Sequence, residues 1–383
     1  MKDMLNALAP LVESLPDRAR EIEAARRLPA DIAQEMARAG VFRLFIPQDI
    51  GGLEADLLDG WAVIEHLAEA EASVGWCAMI ASTSAYKAGF MPRETAREIY
   101  GDPLGIYGGV FAPMGTAVAE GEGYRIDGRW QWASGSANCT WLSGGCRLLE
   151  DGEPRLLANG QPDSRMAIFP ADRAELLDTW HVAGLNGTGS GDMRVNDLYV
   201  PATHTVSLQA DAPAVDGPLY QFPTFGLLSQ GIAAVALGNA RAALRETVRL
   251  AQARRPGGGR RRQSERGAAQ AALARAEAAL ASARSYARDT LATAWQAAAA
   301  GEGLSDAHRL ALRLSATHAV RTAAEVTREA YDLGGGAALF LDSPLQRRQR
   351  DALAMTQHMM VAPASYELTG RLLMGEATDT TFL

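Results

Sequence analysis

Residues 123–134 read GYRIDGRWQWAS, and their short alternation of apolar and polar residues predicts a β-strand. The tripeptide IDG (126–128) within this stretch is typical of a tight turn. Strand alternation up to residue 134 would place Trp130, Trp132 and Ser134 on one face. Aromatic rings beside hydroxyl groups suit a planar heterocycle, although tryptophans that only fill a core are equally compatible with this spacing.

The sequence on either side of this stretch divides the chain into three parts. Further short strand patterns occur between residues 104 and 217, for example SRMAIFP (164–170). Residues 1–103 and 218–383 instead carry apolar residues at three-to-four spacing, and the alanine-rich run 268–300 favours helix strongly. We therefore predict a mostly α fold with an N-terminal helical domain (1–103), a middle β domain (104–217) and a C-terminal helical bundle (218–383).

The composition excludes several classes of protein. The chain has 383 residues, 48% of them apolar, and a net charge of -8, which argues against nucleic acid and anionic membranes as partners. The three cysteines, Cys77, Cys139 and Cys146, have neither disulfide nor metal-ligand spacing, so no metal is expected. The charged amino end lacks the apolar core of a signal peptide, and no apolar run reaches the roughly 18 residues of a membrane helix. We expect a soluble cytoplasmic protein.

Two glycine-containing segments invite a ligand-binding interpretation. The basic run ARRPGGGRRRQSER (253–266) is interpreted first as a solvated loop, with a phosphate clamp through Arg254 or Arg255 as the alternative. The run LNGTGSGDMRV (185–195) does not fit GxGxxG and precedes a strand, so it predicts a turn. A close approach of that turn to a flat ligand is equally compatible. The chain contains no GxSxG, and a hydrolase is therefore not supported.

Four segments together resemble the acyl-CoA dehydrogenase family over essentially the whole chain. They are VFRLFIPQDIGG (41–52), WQWASGSANCTW (130–141), GTGSGDMRVNDLYVP (187–201) and GGGAALFLDSPLQRRQRD (334–351). The resemblance implies an N-terminal helical domain, a middle β-barrel-like domain and a C-terminal four-helix bundle. It also implies a flavin at the junction of strands and helices.

A missing glutamate and three further stretches of sequence point to one branch of this family. The dehydrogenases carry a catalytic glutamate where this chain has Met359, and the nearest later carboxylate is Glu367. The sequences FAPMGTA (111–117), WASGS (132–136) and RDALAMTQH (350–358) are similar to flavin-dependent two-component monooxygenases. The chain is therefore identified as resembling the oxygenase component of such a system.

The resemblance assigns three sets of residues. The catalytic residues would be His358, Ser134 and Ser136, the cofactor-binding residues Phe111, Trp132, Ala133, Ser134, Arg254, Gly334 and Gly335, and the substrate-pocket residues Trp132, Met355 and Met359. Arg254 would contact the flavin phosphate of a neighbouring subunit. Gly257 and Tyr331 replace residues that usually bind FAD, which leaves FMN or FAD open.

The branch also implies a reaction and partners. Reduced flavin from a separate flavin reductase and molecular oxygen would hydroxylate, or N- or S-oxygenate, a small aromatic substrate. His358 would accept a proton from the substrate or orient it. A homotetramer is expected. The alternatives are an acyl-CoA dehydrogenase-like FAD oxidoreductase and a non-catalytic helical scaffold, and the sequence does not specify the substrate.

Overall fold

A computed structural model describes residues 2–157, 160–208, 210–255, 261–380 and 383. It confirms a mostly helical chain with one central β-sheet between two groups of helices. Because each group of helices packs against the sheet domain as well as against the other group, residues far apart in sequence meet at their junction.

In the described residues, five α-helices precede the sheet and six follow it. The first group is α1 (Lys2–Ala25), α2 (Ala30–Arg38), α3 (Leu57–Ala70), α4 (Ala72–Ala85) and α5 (Arg93–Tyr100). The second group is α6 (Pro218–Gln221), α7 (Thr224–Ala253), α8 (Gly267–Ala299), α9 (Asp306–Gly334), α10 (Pro344–Met355) and α11 (Ala364–Leu373). The domain boundaries near residues 103 and 217 stay a prediction, and both fall between elements.

The described residues of the middle part form one eight-stranded mixed sheet. Its strands are β1 (Val110–Glu120), β2 (Gly123–Trp130), β3 (Trp141–Glu150), β4 (Glu153–Pro154), β5 (Ser164–Pro170), β6 (Glu175–Leu177), β7 (Asp192–Pro201) and β8 (Thr205–Val206). They are ordered β6-β7-β2-β1-β3-β5-β8, and β4 pairs with β3. Only β1 and β3 pair in parallel among these strands; the remaining pairs are antiparallel.

Two local predictions in the opening stretch are wrong. The IDG tripeptide is not a turn, because β2 runs through it and pairs with β7, with a register shift between Ile126 and Gly128. The strand then ends at Trp130, so the alternation does not extend to Ser134. Trp130 is fully buried and donates its Nε1–H to Gly145 O at 2.7 Å, whereas Trp132 has a φ of 64° and is 59% exposed.

Helix α9 begins and ends at local signals in the sequence. Ser305 caps α9 by accepting a hydrogen bond from His308 N, and Gly335, with a φ of 53°, terminates it. By length and composition α7 is apolar enough to cross a membrane, but 89% of its most apolar window is buried inside the protein. Since a core helix passes the same test, this burial identifies α7 as the central helix of the bundle. The cytoplasmic location stays a prediction.

A charged segment of α10, residues 347–351, joins the bundle to the N-terminal helices. Nη2 of Arg348 donates to the carbonyls of Glu69 at 2.8 Å and Ala70 at 3.0 Å, at the end of α3. Its Nη1 donates to Asn239 Oδ1 on α7 at 3.3 Å, and Asn239 Nδ2 donates back to the Arg348 carbonyl at 2.8 Å. A buried guanidinium is thus satisfied by groups from two domains.

The end of the same segment reaches the β domain. Arg350 donates to the Ala183 carbonyl and, at 2.6 Å, to Glu23 Oε1 on α1. Asp351, which is buried, accepts a hydrogen bond from Leu185 N at 2.6 Å. Leu185 has a φ of 54°, a conformation that costs free energy for a leucine. The hydrogen bond to Asp351 therefore stabilises a backbone conformation that is unfavourable for leucine at position 185.

Replacing Asp351 with Ala should destabilise the protein, because it leaves the buried Leu185 N–H without its acceptor. We expect the apparent free energy of unfolding to fall by about 1–3 kcal/mol, measured by urea denaturation followed by circular dichroism. The matched control is Asp342→Ala, which removes an exposed carboxylate just before the same helix. If both variants unfold at the same urea concentration, the Asp351 contact contributes nothing to stability.

Candidate functional site

Three side chains from the three parts of the chain meet at one point. Trp76, which is buried on α4, donates its Nε1–H to Ser134 Oγ at 3.1 Å. The ring of His358 lies against Trp76 edge to face, with ring centroids 5.8 Å apart and an interplanar angle of 62°. Trp76 thus connects an imidazole of the bundle to a hydroxyl of the β domain.

Ser134 is the first member of a chain of hydroxyl groups. Its Oγ lies 2.7 Å from Ser190 Oγ, and Ser190 Oγ lies 2.6 Å from Thr188 Oγ1. Thr188 donates its proton to the Leu185 carbonyl at 2.7 Å. Each hydroxyl has one proton, so Ser190 must donate to Thr188 and Ser134 must donate to Ser190. The proton of Ser134 is committed, and its oxygen, which already accepts from Trp76, has one acceptor site left.

The protonation state of His358 follows from its surroundings. Met360 N donates to His358 Nδ1 at 3.2 Å, so the neutral ring carries its proton on Nε2. Burial, reinforced by the nearby Arg313 cation, lowers the pKa of His358 to about 4. Arg313 is itself held by donation to the Met360 carbonyl at 3.0 Å. His358 is therefore a neutral hydrogen-bond donor at physiological pH.

The β domain presents groups that fit a flavin beside this cluster. Trp132 lies two residues before Ser134 and exposes its indole. Residues 111–114 of β1 lie outside the ladder, because β1 pairs with β3 at Val110 and then only from Gly115, and with β2 only from residue 116. The exposed indole matches the flat surface of an isoalloxazine ring. The backbone groups of residues 111–114 and the Ser134 hydroxyl match its polar edge.

The other residues assigned to this region differ in accessibility. Ala133 is fully buried; its N–H donates to the Gly191 carbonyl at 3.0 Å and its carbonyl accepts from Ser136 N at 3.2 Å. Ser136 is buried, and among the described residues the hydroxyl chain does not include it. Met355 is fully buried in the main core, whereas Met359 is 61% exposed next to His358.

The three remaining residues that are predicted to bind the cofactor lie together beside an open pocket at the end of α9. Arg254 donates to the Gly334 carbonyl, and Gly335 lies beside the same guanidinium. This open pocket has a volume of about 360 Å³. Arg313, beside His358, and Leu333, beside the pocket, are 20 residues apart on α9, which corresponds to roughly 30 Å. One flavin ring system cannot bridge the two places. Residues 256–260 of the predicted basic loop lie outside the described residues.

Sequence reasoning missed Trp76, Thr188 and Ser190. Thr188 and Ser190 lie in the glycine-rich run 185–195, whose sequence predicts a turn and is compatible with a close approach to a flat ligand. No comparable signal marked Trp76, because nearly every residue of α4 is apolar or small. Its role follows only from its contacts with the other two domains.

Two family models match parts of this chain. The family model described as acyl-CoA dehydrogenase, N-terminal domain, matches residues 6–90, and the corresponding C-terminal domain model matches residues 230–363.

Individual relatives are similar over the full length. The chain is 35% identical to the indole-3-acetate monooxygenase of Pseudomonas putida, covering 97% of this chain and 94% of that protein. It is 28% identical to the FADH(2)-dependent resorcinol hydroxylase, oxygenase component, of a Rhizobium species, covering 93% and 90%. The crystal structure of 3-HSA hydroxylase from Rhodococcus sp. RHA1 has a TM-score of 0.91 at 26% identity and covers 100% of this chain and 99% of that one.

His358 should remain neutral throughout the physiological pH range. In NMR spectra of the histidine-labelled protein we expect one imidazole signal, absent in His358→Gln, to titrate near pH 4. Because the unfolded chain protonates this histidine first, the folded state loses stability as the pH falls from about 6.5 towards 4. A midpoint above pH 6 for His358 would contradict the proposed donor state.

Proposed function

The chain belongs to the acyl-CoA dehydrogenase family, in its flavin-dependent monooxygenase branch, and on that premise we propose that it hydroxylates a small aromatic substrate. It uses molecular oxygen and reduced flavin, and a separate reductase supplies the reduced flavin, as the name of the resorcinol hydroxylase relative implies for that protein. The aromatic acid in the name of the Pseudomonas putida relative makes indole-3-acetate the first compound to test.

The observation that carries this proposal is the imidazole in contact with Trp76. The dehydrogenase position for a glutamate is taken by Met359, an exposed thioether that cannot remove a proton. Glu367, the next carboxylate along the chain, lies on the exposed side of α11. A neutral His358 instead offers Nε2–H to an oxygen or nitrogen of the substrate. This favours oxygenation of an oriented aromatic ring over dehydrogenation of an acyl-CoA thioester.

The same cluster explains why the reduced cofactor is used. When bound, the reduced flavin supplies the activation of molecular oxygen. Trp132 and the backbone of residues 111–114 would hold its ring system. Ser134 Oγ offers an acceptor, because its own proton is committed to Ser190. An acceptor suits the N–H group that the central ring of a flavin carries only in the reduced form, so Ser134, more than Ser136, would favour reduced flavin.

We further propose that the protein is a homotetramer. Leu339, Phe340 and Leu341 follow α9 and are 67–75% exposed, a contiguous apolar patch of the kind that interfaces cover. They lie directly after Gly334 and Gly335, which contact Arg254. A neighbouring subunit on this patch would bring its flavin phosphate to the Arg254 pocket, and either FMN or FAD is compatible with that arrangement.

The function can be tested in a reconstituted assay. The protein is combined with a flavin reductase, NADH, oxygen and a panel of aromatic acids and phenols headed by indole-3-acetate, and hydroxylated products are identified by mass spectrometry. Product that depends on both the protein and the reductase is expected. Oxidation of an acyl-CoA thioester without any aromatic product would contradict the proposal.

Substitution of His358 tests the orienting role in the same assay. His358→Ala should lower the hydroxylation rate by roughly 10²–10³-fold, because the substrate loses its hydrogen-bond donor. NADH consumption should continue and hydrogen peroxide should accumulate. His358→Gln, whose amide can still donate, should retain more product per NADH than His358→Ala. Equal product from all three proteins would mean that His358 only fills space.

Substitution of Ser190 tests the acceptor role of Ser134. Ser190→Ala frees the Ser134 proton, so the hydroxyl can also donate to oxidised flavin. The dissociation constant for oxidised flavin divided by that for reduced flavin, measured by anaerobic titration, should fall roughly fivefold. This change is equivalent to about one hydrogen bond. Ser282→Ala, on exposed α8, serves as the control and should leave the ratio unchanged. An unchanged ratio in Ser190→Ala would remove this explanation of cofactor preference.

A further inference from the structure

One face of α4 differs from the rest of that helix. Every residue from 71 to 89 is buried except Ile80 and Thr83, which are partly accessible. In chain order, Trp76, Ile80, Thr83 and Lys87 have the spacing i, i+4, i+7 and i+11. This spacing places the four side chains on one side of α4 and of the 3-10 turn Tyr86–Phe90 that follows it. A partly open strip therefore runs from the His358 contact towards Lys87.

Lys87 lies at the far end of this strip in an apolar setting. It is 2% exposed, and its ammonium group lies 6.0 Å from the ring centre of Phe111. The Phe111 ring in turn meets the ring of Phe225 on α7, with centroids 5.7 Å apart. Among the described residues, no hydrogen bond or ion pair reaches the ammonium group. A buried amine without a partner is costly unless a ligand supplies one.

The charges around Lys87 do not compensate it. The titratable neighbour that influences it is Cys139, and burial raises the pKa of that thiol to about 12, so the thiol is neutral. Burial also lowers the pKa of Lys87 to about 7. An anion placed beside the amine would reverse this effect by favouring the charged form.

The amino-acid usage of the chain makes this lysine unusual. Of its 37 basic residues, 35 are arginines, and the two lysines are Lys2 and Lys87. A lysine is a compact charge on a flexible stem and tolerates burial by losing its proton, which an arginine does not. A lysine thus suits a site that is apolar when empty and charged when an anion is bound.

We propose that Lys87 binds the carboxylate of an aromatic acid whose ring lies along the α4 strip near Trp76 and His358. The separation fits, because eleven residues at helical rise place the backbones of Trp76 and Lys87 roughly 16 Å apart. An aromatic ring with a short acid chain is shorter than this separation, and the flexible stem of Lys87 can reach along the strip towards it. This inference rests on the proposed function, which it deepens by naming the substrate class and the residue that selects it.

The two lysines allow a direct test in the intact protein. In protein labelled with [ε-¹³C]lysine, indole-3-acetate at millimolar concentration should shift the NMR signal of Lys87 and raise its titration midpoint above that of the free protein. The signal of Lys2 should stay in place as the internal control. Indole-3-acetamide, the neutral isostere, should cause a much smaller shift. A Lys87 signal that ignores the acid, or responds equally to acid and amide, overturns the inference.

A kinetic comparison supplies the second readout. Lys87→Met keeps the side-chain volume but removes the charge, and the ratio of KM for the acid to KM for the amide should rise roughly 10–100-fold. Lys2→Met should leave that ratio unchanged. An equal rise for both compounds would indicate a merely structural role and overturn the inference. If the wild type hydroxylates neutral aromatic compounds while acids neither bind nor react, only the Lys87 inference fails; if no aromatic compound is hydroxylated at all, the proposed function fails.

Discussion

The structure depends on the burial of a charged segment of α10 between the three domains. Arg348 and Arg350 satisfy their guanidinium groups with carbonyls and acids from the N-terminal helices, α7 and the β domain. Arg347 lies 3.5 Å from Glu71 at the start of α4, with both side chains almost fully buried. Because a buried charge without partners is costly, these contacts require the domains to meet in one arrangement. The site exists only in that arrangement.

The segment and the site share one residue of the β domain. The N–H of Leu185 donates a hydrogen bond to Asp351, and its carbonyl accepts a hydrogen bond from the Thr188 hydroxyl. The hydroxyl chain that starts there ends at Ser134, which contacts Trp76. The direction of every hydrogen bond in that chain follows from its anchor at a backbone carbonyl. The Leu185 carbonyl thus sets the direction in which the Ser134 hydroxyl donates, and Asp351 holds the loop that carries this carbonyl.

Elements with strong local signals could be predicted from the sequence, whereas contacts between domains could not. The Ser305 cap and the terminating Gly335 fix α9 through local hydrogen bonds and backbone freedom. The face of Trp132 was mispredicted because β2 ends at Trp130, before the alternation reaches Trp132. The Ala133 N–H then pairs with the Gly191 carbonyl, and no pattern in the sequence indicates that contact. Lys87 follows a helix, α4, that is apolar or small on nearly all sides, so periodicity could not show which face is open. Contacts of Trp76 with Ser134 and His358 identify that face.

The central claim is that this cluster directs oxygen into an aromatic substrate. The most direct measurement is the isotopic composition of the hydroxylated product formed under ¹⁸O₂ in ordinary water, with the reductase and NADH present. The account predicts that each product molecule carries one ¹⁸O atom. Product whose new oxygen comes from water, with ¹⁸O recovered only in hydrogen peroxide, would contradict it.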